Sequence, residues 1–218
     1  MNLFPLYLTV KVSFVATVFT ASAGLVLAWV LAKKEFFGKT VLDVLIMQPL
    51  VIPPTVLGYY LLSTFGTGSP IGRFFENVFG MQIVFTWKGA VLASIVSSLP
   101  LFVKPAKAAI EGVGNDLENA ARLLGKTELY IFRTITLPIA WRGIMAGVVM
   151  AFARATGEFG ATLMVAGNIP GRTQTLPIAI YDAVQSGDTY TANLLVGIIT
   201  LFSFLVLYIA ERFTKGRF

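Results

Sequence analysis

The sequence predicts an all-α, polytopic membrane protein, a bundle of about five transmembrane helices forming one domain over residues 1–218. Three observations predict it. Of the 218 residues, 56% are apolar and only 13% are charged, whereas a soluble domain carries about 25% charged residues. The apolar residues fall in long runs, and a spanning helix needs about 20 of them. The chain has neither Cys nor His, which removes disulfides, Cys/His zinc sites and imidazole acid–base chemistry. The formal charge of +6 then reads as Lys and Arg flanking spans, not as a nucleic-acid surface.

The elements follow in order. Span one is expected over residues 12–32, between Lys11 and the Lys33-Lys34-Glu35 cluster. Residues 1–10 lack the basic start of a cleaved signal peptide, so this span is expected to be retained. Span two covers 41–65 and contains Pro49, Pro53 and Pro54, which predict a break at residues 52–55. A Gly-, Ser- and Pro-rich loop is expected over 66–80. Span three covers 87–103, with Ser97, Ser98 and Pro100 inside it. A polar stretch over 104–133 precedes span four at 139–166. A loop over 167–191 leads to span five at 192–210 and a basic tail.

Basic residues set the orientation. Lys33, Lys34, Lys39, Lys104, Lys107, Arg122, Lys126, Arg133, Arg212, Lys215 and Arg217 fall on one side of a five-span chain. The other side has mainly Lys11, Arg73, Lys88 and Arg172. Eleven against four predicts that the first side is cytoplasmic, with the N-terminus outside and the C-terminus inside.

Residues 116–134 carry the most informative pattern. Asp116 and Glu118 open a short amphipathic helix over 116–124, where the helix dipole favours acids. Gly125 ends it by permitting a left-handed backbone. A second short helix over 127–134 leads to Pro138, which opens span four. Such a helix–Gly–helix elbow is either a structural hairpin or a docking knob for a cytoplasmic partner, with Ala120 and Ala121 allowing close approach. The residues alone leave both open.

This stretch resembles the EAA signature of ABC importer permeases: Glu-Ala-Ala, three residues, Gly, nine residues, Ile, one residue, Leu-Pro. Ala120, Ala121, Gly125, Ile135, Leu137 and Pro138 match it; Asn119 stands where the family usually has Glu, with Glu118 one place earlier. Residues 152–162 and 167–177, followed by Ile180-Tyr181, are similar to the molybdate branch of that family. Sulfate/thiosulfate permeases are the nearest cousins, and tungstate is a further candidate substrate.

The resemblance implies a type I importer fold, multi-pass in the cytoplasmic membrane. It implies that Glu118, Asn119, Ala120, Ala121, Gly125, Ile135, Leu137 and Pro138 form the element that couples to the ATPase. The implied partners are the lipid bilayer, a second copy of the permease, a cytoplasmic dimer of ATP-binding subunits and an external oxyanion-binding protein. ATP and Mg would be held by the partner subunit. This chain would hold no cofactor or metal, have no catalytic residue and bind no nucleic acid.

Arg154 and Glu158 lie four apart, on one helix face within a span. Ionisable residues there cost about 2.5–3.5 kcal/mol each on insertion scales and face a bundle interior or a cavity. Either the pair only fixes packing, or it belongs to the translocation pathway or its gate. In the second reading Gly157 and Gly160 are pliable points, and Thr55, Ser97, Ser98 and Thr162 offer hydroxyls along the path. Gly143, Gly147, Ala151 and Ala155 recur every four residues, a stripe that suits helix packing or a dimer seam.

Gly38-Lys39-Thr40 and Gly125-Lys126-Thr127 mimic the end of a phosphate-binding loop. The upstream glycine is replaced by Lys33 and Ala120, and no strand precedes either. An ion-coupled secondary transporter would call for unpaired intramembrane acids or a repeated broken-helix pair. Only Glu158 lies deep in a span, with Asp43 near an end. A membrane-embedded enzyme would need a catalytic constellation, for which a chain without His or Cys has few options.

Overall fold

The computed structural model describes residues 3–215, and the predicted tail residue Arg217 lies outside them. Helix α1 (Phe4–Lys33) starts well before residue 12, because Pro5 sits in its first turn, where a missing N–H costs nothing. Helix α2 (Lys39–Met47) passes into a 3₁₀ turn (Gln48–Leu50) and then, across Pro53, into α3 (Pro54–Phe65). The two halves meet at 112°. The stretch expected as span two is therefore a bent pair of helices broken at the Pro53-Pro54 step, since each proline removes a helical donor and its ring clashes with the preceding turn.

The stretch expected as a loop at 66–80 contains α4 (Pro70–Phe79). Ser69 caps it by accepting the Gly72 N–H at 2.8 Å, and Gly80 ends it in the left-handed region at φ 59°. Helix α5 (Trp87–Glu111) passes Pro100 and Pro105 without stopping and outruns the expected 87–103. It is the central helix, buried along its length between α1 and α8, so packing holds what two prolines would otherwise break.

The chain then turns through α6 (Asn115–Leu123) and α7 (Glu128–Ile131). A π-turn (Phe132–Thr136) joins α7 to α8 (Leu137–Thr156), so Pro138 does not open a separate span but lies inside one helical run from Glu128 to Thr156. The wider π-turn accommodates a proline that would clash in a regular helix. Span four also ends early. The continuous helix expected over 139–166 breaks after Thr156 and resumes as α9 (Gly160–Ala166). The expected loop at 167–191 contains α10 (Leu176–Gln185), and α11 (Thr189–Lys215) exceeds the expected 192–210.

Among the described residues four helices are long and apolar enough to span a membrane, and the bent pair α2–α3 makes a fifth if it crosses as one span. Phe14, Phe19, Val26, Leu201 and Phe204 are exposed, an apolar belt that water would not tolerate but lipid would. Helices α1 and α5 are parallel: Lys11 lies 3.9 Å over the Trp87 ring at their starts, and Lys33 Nζ lies 3.1 Å from the Val113 carbonyl oxygen at their ends. Phe102 is fully buried between them, packed with Ala28, Leu31, Ala106 and Ile144. The small-residue stripe of α8 packs on α5 within the chain. A Cβ on Gly147 would lie 2.9 Å from the Phe102 carbonyl oxygen, and one on Gly143 would run into Ala109. Helix packing thus occupies the stripe.

Candidate functional site

Two regions concentrate the chemistry, the elbow at one end of the bundle and the helix breaks inside it. At the elbow, Gly125 adopts φ +73° with open space around its missing Cβ, so the requirement is conformational. Its N–H donates to Arg122 O at 2.9 Å and Lys126 N–H to Ala121 O at 3.1 Å, closing α6. Thr127 caps α7 by accepting the Tyr130 N–H.

Glu118 organises the elbow. It is 2% exposed. One carboxylate oxygen accepts the Thr136 hydroxyl at 2.7 Å; the other lies 3.1 Å from Lys33 Nζ and 3.6 Å from Arg122 Nη2. One side chain therefore ties α6 to the end of α1 and to the π-turn that leads into α8. Arg122 also grips Glu128 through Nε and Nη2 at 2.6 and 3.1 Å and donates Nη1–H to Asn119 Oδ1 at 2.8 Å. Hydrogen bonding to Glu128 pushes the Arg122 guanidinium above its ordinary range. Asn119 thus serves as a neutral acceptor for Arg122.

Ala121 is buried beneath the elbow while Ala120 is exposed. Ile135 and Leu137 are half-buried against the main core, and Pro138 is exposed. The surface offered outward is apolar: Leu117, Leu123, Leu124 and Leu129 are exposed, Leu123 to 89%. Sequence reasoning missed this tip and the anchors Lys33 and Thr136. Two leucines at the end of a polar helix were the available signal for the tip; nothing local marks the anchors.

At the second region Arg154 Nη2 lies 2.7 Å from Glu158 Oε2. The other oxygen of Glu158 accepts the Ala161 N–H at 2.9 Å, so the buried carboxylate caps α9. That capture explains why span four breaks where it does, since the side chain takes a donor a continuous helix would use. Helix α9 docks on α3. A Cβ on Gly160 would lie 2.9 Å from Pro54 Cβ; one on Gly58 would lie 2.6 Å from Met164 Cβ and 2.9 Å from Ala161 Cα. The two helix breaks therefore touch, and Gly160 is needed for close approach. Gly157 is exposed at the break itself.

The hydroxyls are spread over different surroundings. Thr162 is buried on α9, and its Oγ1 has no hydrogen-bond partner among the described residues. Thr55 is exposed on α3. Ser98 shares a 3.1 Å hydrogen bond with Thr20 of α1, and Ser97 donates to Ser94 O of its own helix at 3.3 Å. Both serines are buried within the bundle, Ser98 in the α1–α5 seam. Among the described residues no group of acidic side chains is placed to hold a metal ion.

Residues 23–217 match the family described as binding-protein-dependent transport system inner membrane component. The chain is 45% identical over 196 residues to the molybdenum transport system permease protein ModB of Escherichia coli (strain K12), a match covering 89% of this chain and 86% of that protein. It is 34% identical over 200 residues to the sulfate transport system permease protein CysT of Salmonella typhimurium, covering 92% and 72%. Among solved structures, the inward facing MetNI methionine ABC transporter superposes with a TM-score of 0.70 over 97% of this chain and 94% of that one, at 16% identity. That likeness speaks to the fold.

Proposed function

Because the chain belongs to the family of binding-protein-dependent transport system inner membrane components, we propose that it is the membrane-spanning permease of an ATP-driven importer of molybdate. The chain is a transport subunit and not an enzyme; ATP hydrolysis belongs to a separate subunit. The observation that carries the coupling reading is the elbow, an exposed apolar tip on a base anchored by charges. The substrate reading is supported by the 45% identity to a molybdenum permease against 34% to a sulfate permease.

In this reading two copies of the chain line a central path, and the elbow side is cytoplasmic, as the basic residues suggest. An external binding protein delivers the oxyanion to the outer segments at 66–80 and 167–191. A dimer of ATP-binding subunits, holding ATP and Mg, grips the Leu123-Leu124 tips. Its closure pulls the elbow, and Glu118 transmits the pull to α1 through Lys33 and to α8 through Thr136. Helix α8 carries it to the Arg154–Glu158 break, where α9 leans on α3. Each link is a packed or hydrogen-bonded contact, the kind of network along which coupling travels. Thr55, Gly157, Gly160 and Thr162 sit on the halves that would separate. No cofactor is bound by this chain in this reading.

The test is uptake in proteoliposomes that hold the permease, its ATPase and its binding protein, with molybdate, tungstate and sulfate in competition. ATP-dependent uptake blocked by molybdate and tungstate but not by sulfate supports the reading. Uptake blocked best by sulfate reassigns the substrate to the neighbouring branch. Uptake without ATP removes the coupling mechanism and restores an ion-coupled transporter.

A further inference from the structure

We propose that the cavity between α2 and the elbow-side part of α5 is an oxyanion station, with Lys104 as its cation. The inference rests on the importer reading and says where on this chain the anion is handled. The cavity measures about 480 Å³ and is lined by Thr40, Asp43, Gln48 and Lys104, with Val44 and Met47 as apolar wall.

Its charge is decided by pairing. Asp43 Oδ2 lies 2.6 Å from Lys107 Nζ, and Lys107 also reaches Glu111 at 3.9 Å. The one carboxylate in the wall is thus already neutralised. Lys104 is exposed and has no acidic partner among the described residues. It stands two turns before the end of α5, about 10 Å at the helical rise. Lys104 belongs to the basic flank of the elbow side, and its unpaired ammonium lines the open cavity.

The remaining polar groups fit the same ligand. The Thr40 hydroxyl and the Gln48 amide are exposed, and neither has a hydrogen-bond partner among the described residues. An ammonium, a hydroxyl and an amide N–H are three donors, the complement of an oxyanion, which only accepts. The volume exceeds what one small anion needs, at roughly 30 Å³ per water, so the anion keeps part of its hydration. Loose binding by a single cation suits a path that must also release its substrate. A lipid phosphate presents the same acceptor oxygens, and the experiment separates the two.

The chain contains no cysteine, so Gln48→Cys introduces a single thiol into the wall. In the complete complex reconstituted in bilayers, an anionic methanethiosulfonate reagent would label this thiol with and without molybdate. Molybdate is expected to slow labelling severalfold. That protection is expected to vanish in Gln48→Cys/Lys104→Gln and to persist in Gln48→Cys/Lys104→Arg. Equal labelling rates with and without molybdate when Lys104 is present would overturn the proposal. Protection that follows the anionic-lipid content of the bilayer, and ignores molybdate, would assign Lys104 to a headgroup and overturn it as well. A second arm measures uptake: Lys104→Gln is expected to lower it about tenfold, the scale of losing one charged donor, while ATP hydrolysis stimulated by the binding protein persists. Unchanged uptake in Lys104→Gln would also count against the station. If molybdate protects Gln48→Cys but the unsubstituted chain shows no ATP-dependent uptake, the importer reading fails and the site stands. If the unsubstituted chain shows uptake and molybdate does not protect Gln48→Cys, the station alone fails.

Discussion

At the elbow and at the α8–α9 break the chain buries a glutamate beside an arginine four positions away, Glu118 with Arg122 and Glu158 with Arg154. Beyond that shared pair the surroundings differ. Glu118 also binds Lys33 and Thr136, which come from other parts of the chain, and so it fastens three elements together. Glu158 spends its second oxygen on Ala161 N–H, three residues ahead, and so it shapes only the turn it sits in. The same residue pair makes a cross-bundle staple in one place and a local helix cap in the other. Staples transmit displacement; a capped break allows the halves on either side to move. In the importer proposed above, the elbow would serve as the lever and the α8–α9 break as the joint.

Five variants would sharpen or break this division. The largest effect is expected at Glu118→Ala, which leaves Lys33, only 10% exposed, without its carboxylate. Breaking such a buried pair costs about 3 kcal/mol at the low end of its range. Thermal unfolding in detergent should show the loss, and ATP-driven uptake should fall with it. A variant as stable as the parent would show that Glu118 is not a staple. Next comes Gly58→Ala, whose methyl would press on Met164 and Ala161 where α3 meets α9. Overpacking there costs about 1–3 kcal/mol. Cross-linking between cysteines on α3 and α9 should report a widened seam, and an unchanged yield would argue against tight docking.

Glu158→Ala is expected to cost less than Glu118→Ala, about 1 kcal/mol for a lost cap, because Arg154 is 27% exposed and can turn to water. Glu158→Gln should recover much of the cap, since an amide oxygen can still accept the Ala161 N–H. If both glutamates prove equally costly by denaturation, the staple–cap distinction fails. The smallest stability change belongs to the double variant Leu123→Ser/Leu124→Ser. Both side chains are exposed, at 89% and 77%, so stability should stay within about 0.5 kcal/mol. Co-purification of the ATPase is nevertheless expected to drop sharply, and undiminished co-purification would move the docking surface elsewhere.

Much of this arrangement was legible in the chain. Gly125 marked the elbow turn, and the structure puts it at φ +73°. Pro53 and Pro54 marked the break in span two. The small-residue stripe marked the face of α8 that meets α5. Other features misled. The segments expected as loops at 66–80 and 167–191 hold α4 and α10, because their helices are short and start at prolines that read as loop punctuation. Pro138 read as a helix start, but a π-turn carries the helix through it. Glu158 read as one partner in a continuous span, whereas its side chain ends that span by capping the next helix.

The sequence by itself determined the membrane class, the helical content, the turns at Gly125 and Pro53-Pro54 and the family pattern. Each depends on hydropathy summed over a run, or on what Gly and Pro permit at one backbone position, and both are local properties. Only the tertiary structure decided that Glu118 binds Lys33 and Thr136, that Gly160 rests on Pro54, and that Asp43 is taken by Lys107 while Lys104 has no acidic partner among the described residues. The physical reason is that a buried charge is stabilised by whichever group lies within a few ångströms. Which group that is depends on how helices far apart in the chain cross, and no local pattern records it.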